Sequence, residues 1–332
     1  GSQKHNSRNE LIKYAKYFDK IFAVGDWVKK EFTYLVPDID PSKIDITYNG
    51  IPINKIDFDQ KLKSRAKISQ YCENLFNFAP DIIMTHVSRL VISKGLWRDI
   101  SLLEYLDNYF YDNHLKGFFI ILSSLIGPGR PGHDVLKMEK DYGWPVWHCQ
   151  NWPDLVGYEN DIFWSLHYFN AKSKSIKGIF LNQYGFSKDH LGKRFPDNTN
   201  FSDLRIASDA EFGMSIYEPF GIAQIETVPY GGIAVLSRAC GSAFLLEKGW
   251  KESNAQPYHI VDFAKNDHTN NDYLYLKSEE RSHIEKQILK IESKAIFKKI
   301  PKSDIERKIL FEACINQSEC LEWNSIAQNI FR

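Results

Sequence analysis

Two glutamates, Glu218 and Glu226, stand eight positions apart in the segment YEPFGIAQIE. The run from Ala207 to Gly232 that contains them predicts a buried strand, a glycine turn and a helix. Pro219 disfavours an earlier helix start, so we expect Glu218 in the turn and a helix that begins near Gly221. Eight positions are a little over two turns, so two helical residues at this spacing would lie roughly on one face.

The first turn of such a helix suits a phosphorylated ligand. The backbone N–H groups of Phe220, Gly221 and Ile222 would have no intrahelical acceptor, and such groups attract phosphate. Gly221 would also let the backbone approach a diphosphate closely. Glu226 can accept hydrogen bonds from ribose hydroxyls, while Glu218 can hold a sugar hydroxyl beside the phosphate. One element would then contact three parts of one ligand; two glutamates on the exposed side of an ordinary helix are the alternative.

The segment resembles the E-x7-E signature of retaining glycosyltransferases of the GT-B fold, in the manner of family 4, with a likeness to starch and glycogen synthases in EPFGIAQ. Three further stretches follow the order of that family: AVGDWVKKEF with ITYNGI at residues 23–51, HVSRLVISKGL at residues 86–96, and LEWNSIAQNIF near the end. The resemblance implies that Glu218 lies by the donor sugar and that Glu226 binds the ribose.

The resemblance also implies two cations for the diphosphate. Arg89 and Lys94, five positions apart in SRLVISKGL, match the arginine and lysine that relatives aim at the donor. Positive charge there stabilises the negative charge that builds on a leaving nucleoside diphosphate. A solvated basic turn is the alternative. His86, on the strand predicted just before them, is more typical of a packed, hydrogen-bonded histidine than of a catalyst.

Two further turns are candidates for the nucleotide. In relatives, the turn after the second strand of this lobe lies beside the nucleotide, which makes Gly127 and Gly129 candidates for close approach, with Arg130 a third. An ordinary GPGRPG loop is an equal alternative. Asn182 or Tyr184, after a later predicted strand, is a candidate to face the base.

Composition indicates a globular chain without a global electrostatic preference. The chain has 332 residues, of which 43% are hydrophobic and 14% aromatic. Its 42 Lys and Arg balance 42 Asp and Glu, so net charge offers no argument for nucleic acid or an anionic membrane. Five scattered cysteines form neither a C-x-x-C pair nor a zinc-binding pattern and favour a reducing cytoplasm; peripheral association with a membrane stays open.

Alternating helical and strand patterns predict an α/β chain. The resemblance implies that residues 1–53 are a remnant of the N-terminal Rossmann-like lobe and that residues 80–332 are the Rossmann-like C-terminal lobe that binds the nucleotide sugar. Residues 54–79 are expected to be a polar, irregular linker with some helical character. Relatives have several more strands before this point, and the opening Gly-Ser is typical of a tag remnant. We therefore expect a truncated chain, weakly active or inactive alone.

An aromatic-rich insertion is expected at about residues 130–200. Packing of its own small core is favoured over a stacking platform for an acceptor sugar. Where relatives carry a paired glycine near the donor, this chain has Cys240-Gly241-Ser242, which leaves backbone approach open only at Gly241. The aromatic residues are Tyr142, Trp144, Trp147, Trp152, Tyr158, Phe163, Trp164, Tyr168 and Phe169.

The resulting prediction is transfer of a sugar from a nucleoside diphosphate sugar to a glycan or other hydroxyl acceptor, with retention of configuration. Retention comes from the resemblance, and no metal or other cofactor is expected. A non-catalytic nucleotide-sugar-binding module and a GT-B nucleotide-sugar epimerase are the alternatives, and YEPFGIAQIE argues against the epimerase.

Overall fold

Eight parallel strands and eleven helices make up the described fold. The computed structural model describes residues 11–125, 135–143, 155–182, 185–250, 255–264 and 275–330. The strands are β1 Ile21–Ala23, β2 Ile44–Ile46, β3 Ile82–Arg89, β4 Gly117–Ser124, β5 Ile176–Leu181, β6 Ala210–Gly213, β7 Ile233–Ser237 and β8 Tyr258–Val261. The helices are α1 Asp26–Leu35, α2 Phe58–Phe76, α3 Leu96–Asp112, α4 Val135–Tyr142, α5 Tyr158–Lys172, α6 Lys188–Leu191, α7 Phe201–Ala207, α8 Gly241–Gly249, α9 Ser278–Lys299, α10 Asp304–Gln317 and α11 Trp323–Ile330.

Strands β3 to β8 form one parallel sheet in the order β5-β4-β3-β6-β7-β8. Strand β4, GFFIILSS, is almost continuously buried, as expected for a parallel strand covered by helices on both faces. Its Phe119 and Ile121 pack on the face covered by α3, α5 and α9. Its Phe118 and Ile120 pack on the opposite face, against α2 and α7. This covered parallel sheet confirms the predicted α/β class.

A second, two-stranded parallel sheet pairs β1 with β2. Helix α1, which connects the two strands, begins at Asp26 with Gly25 as its N-cap residue. The Asp26 carboxylate accepts a 2.5 Å hydrogen bond from the hydroxyl of Tyr48. The indole of Trp27 donates to the carbonyl of Arg238, 2.9 Å away, which ties this unit to the large sheet's loops.

The expected irregular linker is a regular helix over most of its length. Helix α2 occupies 19 of the residues between 54 and 79. Asp57 caps its start by accepting a hydrogen bond from the backbone N–H of Gln60, and Asn77 ends it in the left-handed conformation. Tyr71 and Cys72 are fully buried against the large sheet. Apolar packing therefore makes this segment part of the C-terminal lobe's core.

The helix expected to begin near Gly221 does not form. Residues Ala223–Ile225 and Val228–Tyr230 are two separate 3-10 turns. Pro229 has no N–H to donate back into an α-helix. The carbonyl of Ala223, which an α-helix would pair with the N–H of residue 227, accepts instead from Arg205. The helical-face argument for Glu218 and Glu226 therefore does not apply.

Part of the expected insertion belongs to the main sheet. Strand β5 pairs along its whole length with β4, and the buried Phe163 and Phe169 of α5 join the core on one face of that sheet. Trp164 and Tyr168 are exposed on the same helix. Aromatics at residues 144–152 lie outside the described residues, as does the side chain of Tyr142. The idea of a small separate core is thus wrong for α5, which packs on the sheet.

The end of the chain returns to the β1–β2 unit. The backbone N–H of Ile51 donates to the carbonyl of Leu321, 2.8 Å away, just before α11. Ile51 also packs in a cluster with α8 and Leu321. Among the helices described, none combines the length and apolar character required to cross a bilayer.

Candidate functional site

Two loops at the carboxyl edge of the large sheet are bonded directly to each other. The first begins after Arg89, the last residue of β3, and contains Lys94; the second follows β6 and leads to Glu218. The backbone N–H of Ile216 donates to the carbonyl of Ser93 at 2.8 Å. Because β3 and β6 are parallel neighbours, their carboxyl ends meet at the same edge. The fold therefore brings the predicted cations beside the first predicted glutamate.

Backbone hydrogen bonds hold residues 218–220 against the start of α8. The N–H of Glu218 donates to the carbonyl of Ala239, while the N–H of Gly241 donates to the carbonyl of Glu218. The N–H of Ser242 donates to the carbonyl of Phe220. A Cβ atom at Gly241 would lie 2.0 Å from the carbonyl oxygen of Pro219, so only glycine fits. The backbone at Gly241 thus packs closely against the 218–220 loop of this chain, and the predicted approach to a donor is not what requires the glycine.

These loops surround a cleft of about 330 Å³. The β1–β2 unit supplies part of the wall through Val24 and Asn49. Among the residues that the structure describes, the lining is Val24, Asn49, Val87, Ser88, Arg89, Lys94, Glu218, Pro219, Phe220, Gly221, Ile222, Ala223 and Gln224. Six of the residues predicted from the sequence therefore lie in one cleft, between the large sheet and the small one.

Lys94 and Glu218 form an ion pair inside this cleft. The Lys94 Nζ contacts the Glu218 Oε2, and the two side chains are 13% and 16% exposed. Arg89, at the end of β3, is exposed at the rim. The cleft therefore contains two cations and one carboxylate, with a net positive charge suited to an anion.

The backbone N–H groups of Phe220, Gly221 and Ile222 have no hydrogen-bond acceptor among the residues the structure describes. Gly221 has a φ of +93°, a conformation that favours glycine. This conformation, and not a helix end, presents the N–H groups at the cleft. Successive free N–H groups in a turn can bind an anion in the way originally expected for a helix.

Gln224 and Cys240 support this turn from behind. The Gln224 side chain donates to the Ser215 hydroxyl at 2.9 Å and accepts from the Cys240 thiol at 2.8 Å. Burial raises the pKa of Cys240 to about 12, so the thiol is a neutral donor at neutral pH. Cys240 therefore serves as a hydrogen-bonding support.

Glu226 lies outside the cleft lining, one short turn beyond Ala223. Its carboxylate Oε2 is 3.2 Å from the Nε of Arg205, and its side chain is 23% exposed. Arg205 is itself buried and bonded to Glu211 at 2.8 Å. The structure thus separates the two glutamates of the motif, placing Glu218 in the cleft and Glu226 on a buried arginine beside it.

Other sequence candidates have different surroundings. His86 is fully buried, with its Nδ1 2.5 Å from Asp99, and burial raises the pKa of Asp99. Asn182 is also fully buried, and its amide donates to Glu159 at 3.1 Å, so the suggestion that Asn182 faces a nucleotide base is wrong. The positions of Gly127, Gly129, Arg130 and Tyr184 lie outside the described residues.

Sequence reasoning missed the contributions of Asn49, Gln224 and Arg205. Asn49, shortly after β2, lies across the cleft from the large sheet. Gln224 lies between the two glutamates of the motif, where its bonding to Cys240 has no local signal. Arg205 lies on α7, and only the tertiary structure brings it to Glu226.

Comparison with solved structures gives the same fold at low sequence identity. The chain is similar to HepE of Anabaena, solved in complex with UDP and glucose, with a TM-score of 0.54, 14% identity and coverage of 98% of this chain and 66% of that one. It is also similar to a UDP-forming trehalose-phosphate synthase from Burkholderia xenovorans, with a TM-score of 0.56, 13% identity and coverage of 98% and 63%. A glycosyltransferase from Rickettsia africae is similar with a TM-score of 0.54 and 15% identity, over 97% of this chain and 65% of that one.

These likenesses confirm the expected α/β fold of the GT-B glycosyltransferases. The chain spans 63–66% of the length of these solved chains. No protein-family model and no curated protein matches the sequence.

Proposed function

We propose that this protein is a glycosyltransferase that uses a nucleoside diphosphate sugar as donor. The observation that carries the proposal is the cleft that gathers Arg89, Lys94, Glu218 and the free N–H groups of residues 220–222. The similar solved structures support it, since HepE was crystallised with UDP and glucose. Cations, free N–H groups and a carboxylate are the groups that a diphosphate joined to a sugar requires.

In this proposal the diphosphate binds to Arg89, Lys94 and the N–H groups around Gly221 without a metal ion. As the glycosidic bond breaks, negative charge grows on the departing phosphate, and fixed positive charge there lowers the barrier. Lys94 must then exchange its contact with Glu218 for one with phosphate. This exchange frees the Glu218 carboxylate to accept a hydrogen bond from the donor sugar.

The absence of a metal requirement can be tested by calorimetry. Uridine, guanosine and adenosine diphosphates are titrated into the 332-residue chain, first with a chelator and then with magnesium. We expect the preferred diphosphate to bind equally well in both conditions. Loss of binding in the chelator would mean that a metal, and not the clamp of side chains and N–H groups, carries the phosphate charge.

Retention of the anomeric configuration is a further part of the proposal, supported by the E-x7-E resemblance. The acceptor hydroxyl would attack from the face that the diphosphate leaves. Asn49 and Val24 line the cleft opposite the large sheet, and in this proposal the acceptor glycan or other hydroxyl compound enters on their side. Proton NMR of the first product formed reports the anomeric configuration; an inverted product would exclude retention.

Turnover separates the proposed transferase from its alternatives. The full-length protein is incubated with a matched donor and mixed acceptors, and released nucleoside diphosphate, glycosylated product and epimerised donor are measured. Glycosylated product supports the transferase. Tight binding without any conversion would favour a non-catalytic binding module, and epimerised donor would favour an epimerase. The expected cytoplasmic location is a separate proposal, for which localisation of a tagged protein is the test.

A further inference from the structure

A buried chain of charged groups leads from the large sheet to Glu226. Glu211, on β6, is fully buried and accepts hydrogen bonds from the backbone N–H of Val87, at 2.7 Å, and from the hydroxyl of Thr85. The Arg205 Nη1 donates to the same glutamate at 2.8 Å. With three donors on a carboxylate that has no access to water, Glu211 anchors Arg205 in one place.

Arg205 connects this anchor to the candidate site in two ways. Its Nη2 donates to the carbonyl of Ala223, a residue that lines the cleft. Its Nε lies 3.2 Å from the Glu226 carboxylate, an ion-pair distance that does not meet the geometry of a hydrogen bond. A planar guanidinium can hold three partners at fixed angles, and a lysine at the same place cannot.

Glu226 keeps most of its hydrogen-bonding capacity in this arrangement. An ionised carboxylate has about four acceptor positions. Its contact with Arg205 is mainly electrostatic, and its side chain is 23% exposed while that of Arg205 is 5% exposed. The buried partner therefore orients the carboxylate, and the exposed part of the carboxylate remains available to a ligand.

We infer that Arg205 is a positioning residue that orients Glu226 for the donor ribose, and that Glu211 fixes Arg205 for this task. The inference rests on the proposed function, in which Glu226 accepts hydrogen bonds from ribose hydroxyls. Arg205 itself touches no ligand in this scheme. Its removal should therefore reduce discrimination between ribose and dideoxyribose, and the selectivity for ribose is the property that identifies its role.

The experiment compares the Kd of uridine diphosphate with that of its 2′,3′-dideoxy analogue by calorimetry on the 332-residue chain. The unmodified protein should prefer the ribonucleotide by about tenfold or more, the scale of a hydrogen bond to a charged group. Glu226→Gln is measured first and should reduce this ratio. If Glu226→Gln leaves the ratio unchanged, the ribose contact itself is wrong, and the role of Arg205 is overturned with it.

Arg205→Gln and Arg205→Lys should each reduce the ratio severalfold, and neither should reduce it further when combined with Glu226→Gln. Arg205→Lys keeps the buried charge. If thermal unfolding shows that Arg205→Gln does not fold, the ratio measured for Arg205→Lys decides the test. Arg65→Lys is the matched control, because Arg65 is an equally buried arginine on Asp209 at the opposite edge of the sheet. It should lower thermal stability without changing the ratio.

A folded Arg205 variant with the unmodified ratio would overturn the inference while leaving the ribose contact of Glu226 intact. A ratio that falls further in the double variant would also overturn it, because Arg205 would then act on the ribose independently of Glu226. A fall in both ligands' affinities by the same factor would assign Arg205 a structural role only.

Discussion

The two ends of strand β6 carry similar charged groups in opposite states of burial. At the amino end, Asp209 accepts from Arg65 at 2.6 Å, from Arg307 at 2.9 Å and from the N–H of Ile83 at 2.9 Å. Fully buried Lys61 lies beside them, donating to the carbonyl of Ile206 at 3.0 Å. Every one of these side chains is buried, so this end offers no group to a ligand.

At the carboxyl end, the charged groups line an open cleft. Glu218 has one cationic partner, Lys94, while Arg89 is exposed. The neighbouring N–H groups of residues 220–222 have no acceptor in the described part of the chain. Ion pairs alone therefore do not mark the site; access from solvent and donors without partners distinguish it from the structural cluster.

The same carboxylate-to-amide change should have opposite consequences at the two ends. Although burial alone would raise the pKa of Asp209, the charges of Arg65, Arg307 and Lys61 hold it below its ordinary value. Asp209→Asn would remove the carboxylate that pairs with both Arg65 and Arg307, leaving Arg307 its ion pair with Asp304 at 2.9 Å, and should lower the free energy of unfolding by about 3–5 kcal/mol. Urea denaturation measures this loss of unfolding free energy. A loss under about 1 kcal/mol would contradict a structural role for the Asp209 cluster.

At the other end, Glu218→Gln should lower the transfer rate by about 10²–10³-fold, because a group facing the reacting sugar is lost. The free energy of unfolding should fall by less than for Asp209→Asn, since the Lys94 and Glu218 side chains, 13% and 16% exposed, line a cleft open to water. Initial rates and urea denaturation on the same preparation test both halves. Full activity in Glu218→Gln would remove Glu218 from the proposed chemistry.

Removal of one cation from the cleft should affect binding and leave folding intact. Lys94→Ala should weaken binding of uridine diphosphate by about 1.5–3 kcal/mol, the scale of a hydrogen bond between charged groups. Lys67→Ala is the control, because Lys67 pairs with Asp203 at 3.0 Å outside the cleft lining. Calorimetry should show weaker binding only for Lys94→Ala. Equal affinities for the two variants would contradict the phosphate clamp.

A pH dependence of stability is expected at the buried end. Burial lowers the pKa of Lys61 to about 7. The positive charges of Arg65 and Arg307 also lower this pKa, while the negative charge of Asp209 raises it. Between that pKa and the ordinary 10.5, the unfolded chain binds the proton and the folded chain does not, so stability rises with pH.

The expected slope from Lys61 is at most roughly 1.4 kcal/mol per pH unit. Lys61→Met removes this contribution, so the unmodified protein should gain stability relative to the variant from pH 7 to pH 9. Urea denaturation at intermediate pH values measures the difference. Parallel pH profiles for the two proteins would show that Lys61 does not titrate in this range.

Much of the fold follows from local pattern. The apolar runs that form β3 and β4 and the helical periodicity of DWVKKEFTYL are visible in the sequence, because burial on a parallel sheet and packing of one helix face leave signals in neighbouring residues. The linker was harder to interpret. Helix α2 has many charged residues, and only its packing on the sheet shows that Tyr71 and Cys72 belong to the core.

The sequence by itself determined the alternation of strands and helices and the presence of a glycine turn at Gly221, since both depend on residues close together in the chain. Tertiary structure alone decided that Lys94 meets Glu218, that Arg205 meets Glu226, and that the turn forms no α-helix. These contacts join loops that are distant in sequence. Their geometry depends on the order of the strands in the sheet and on which donor reaches each carbonyl group. Neither feature can be read from a single stretch of residues.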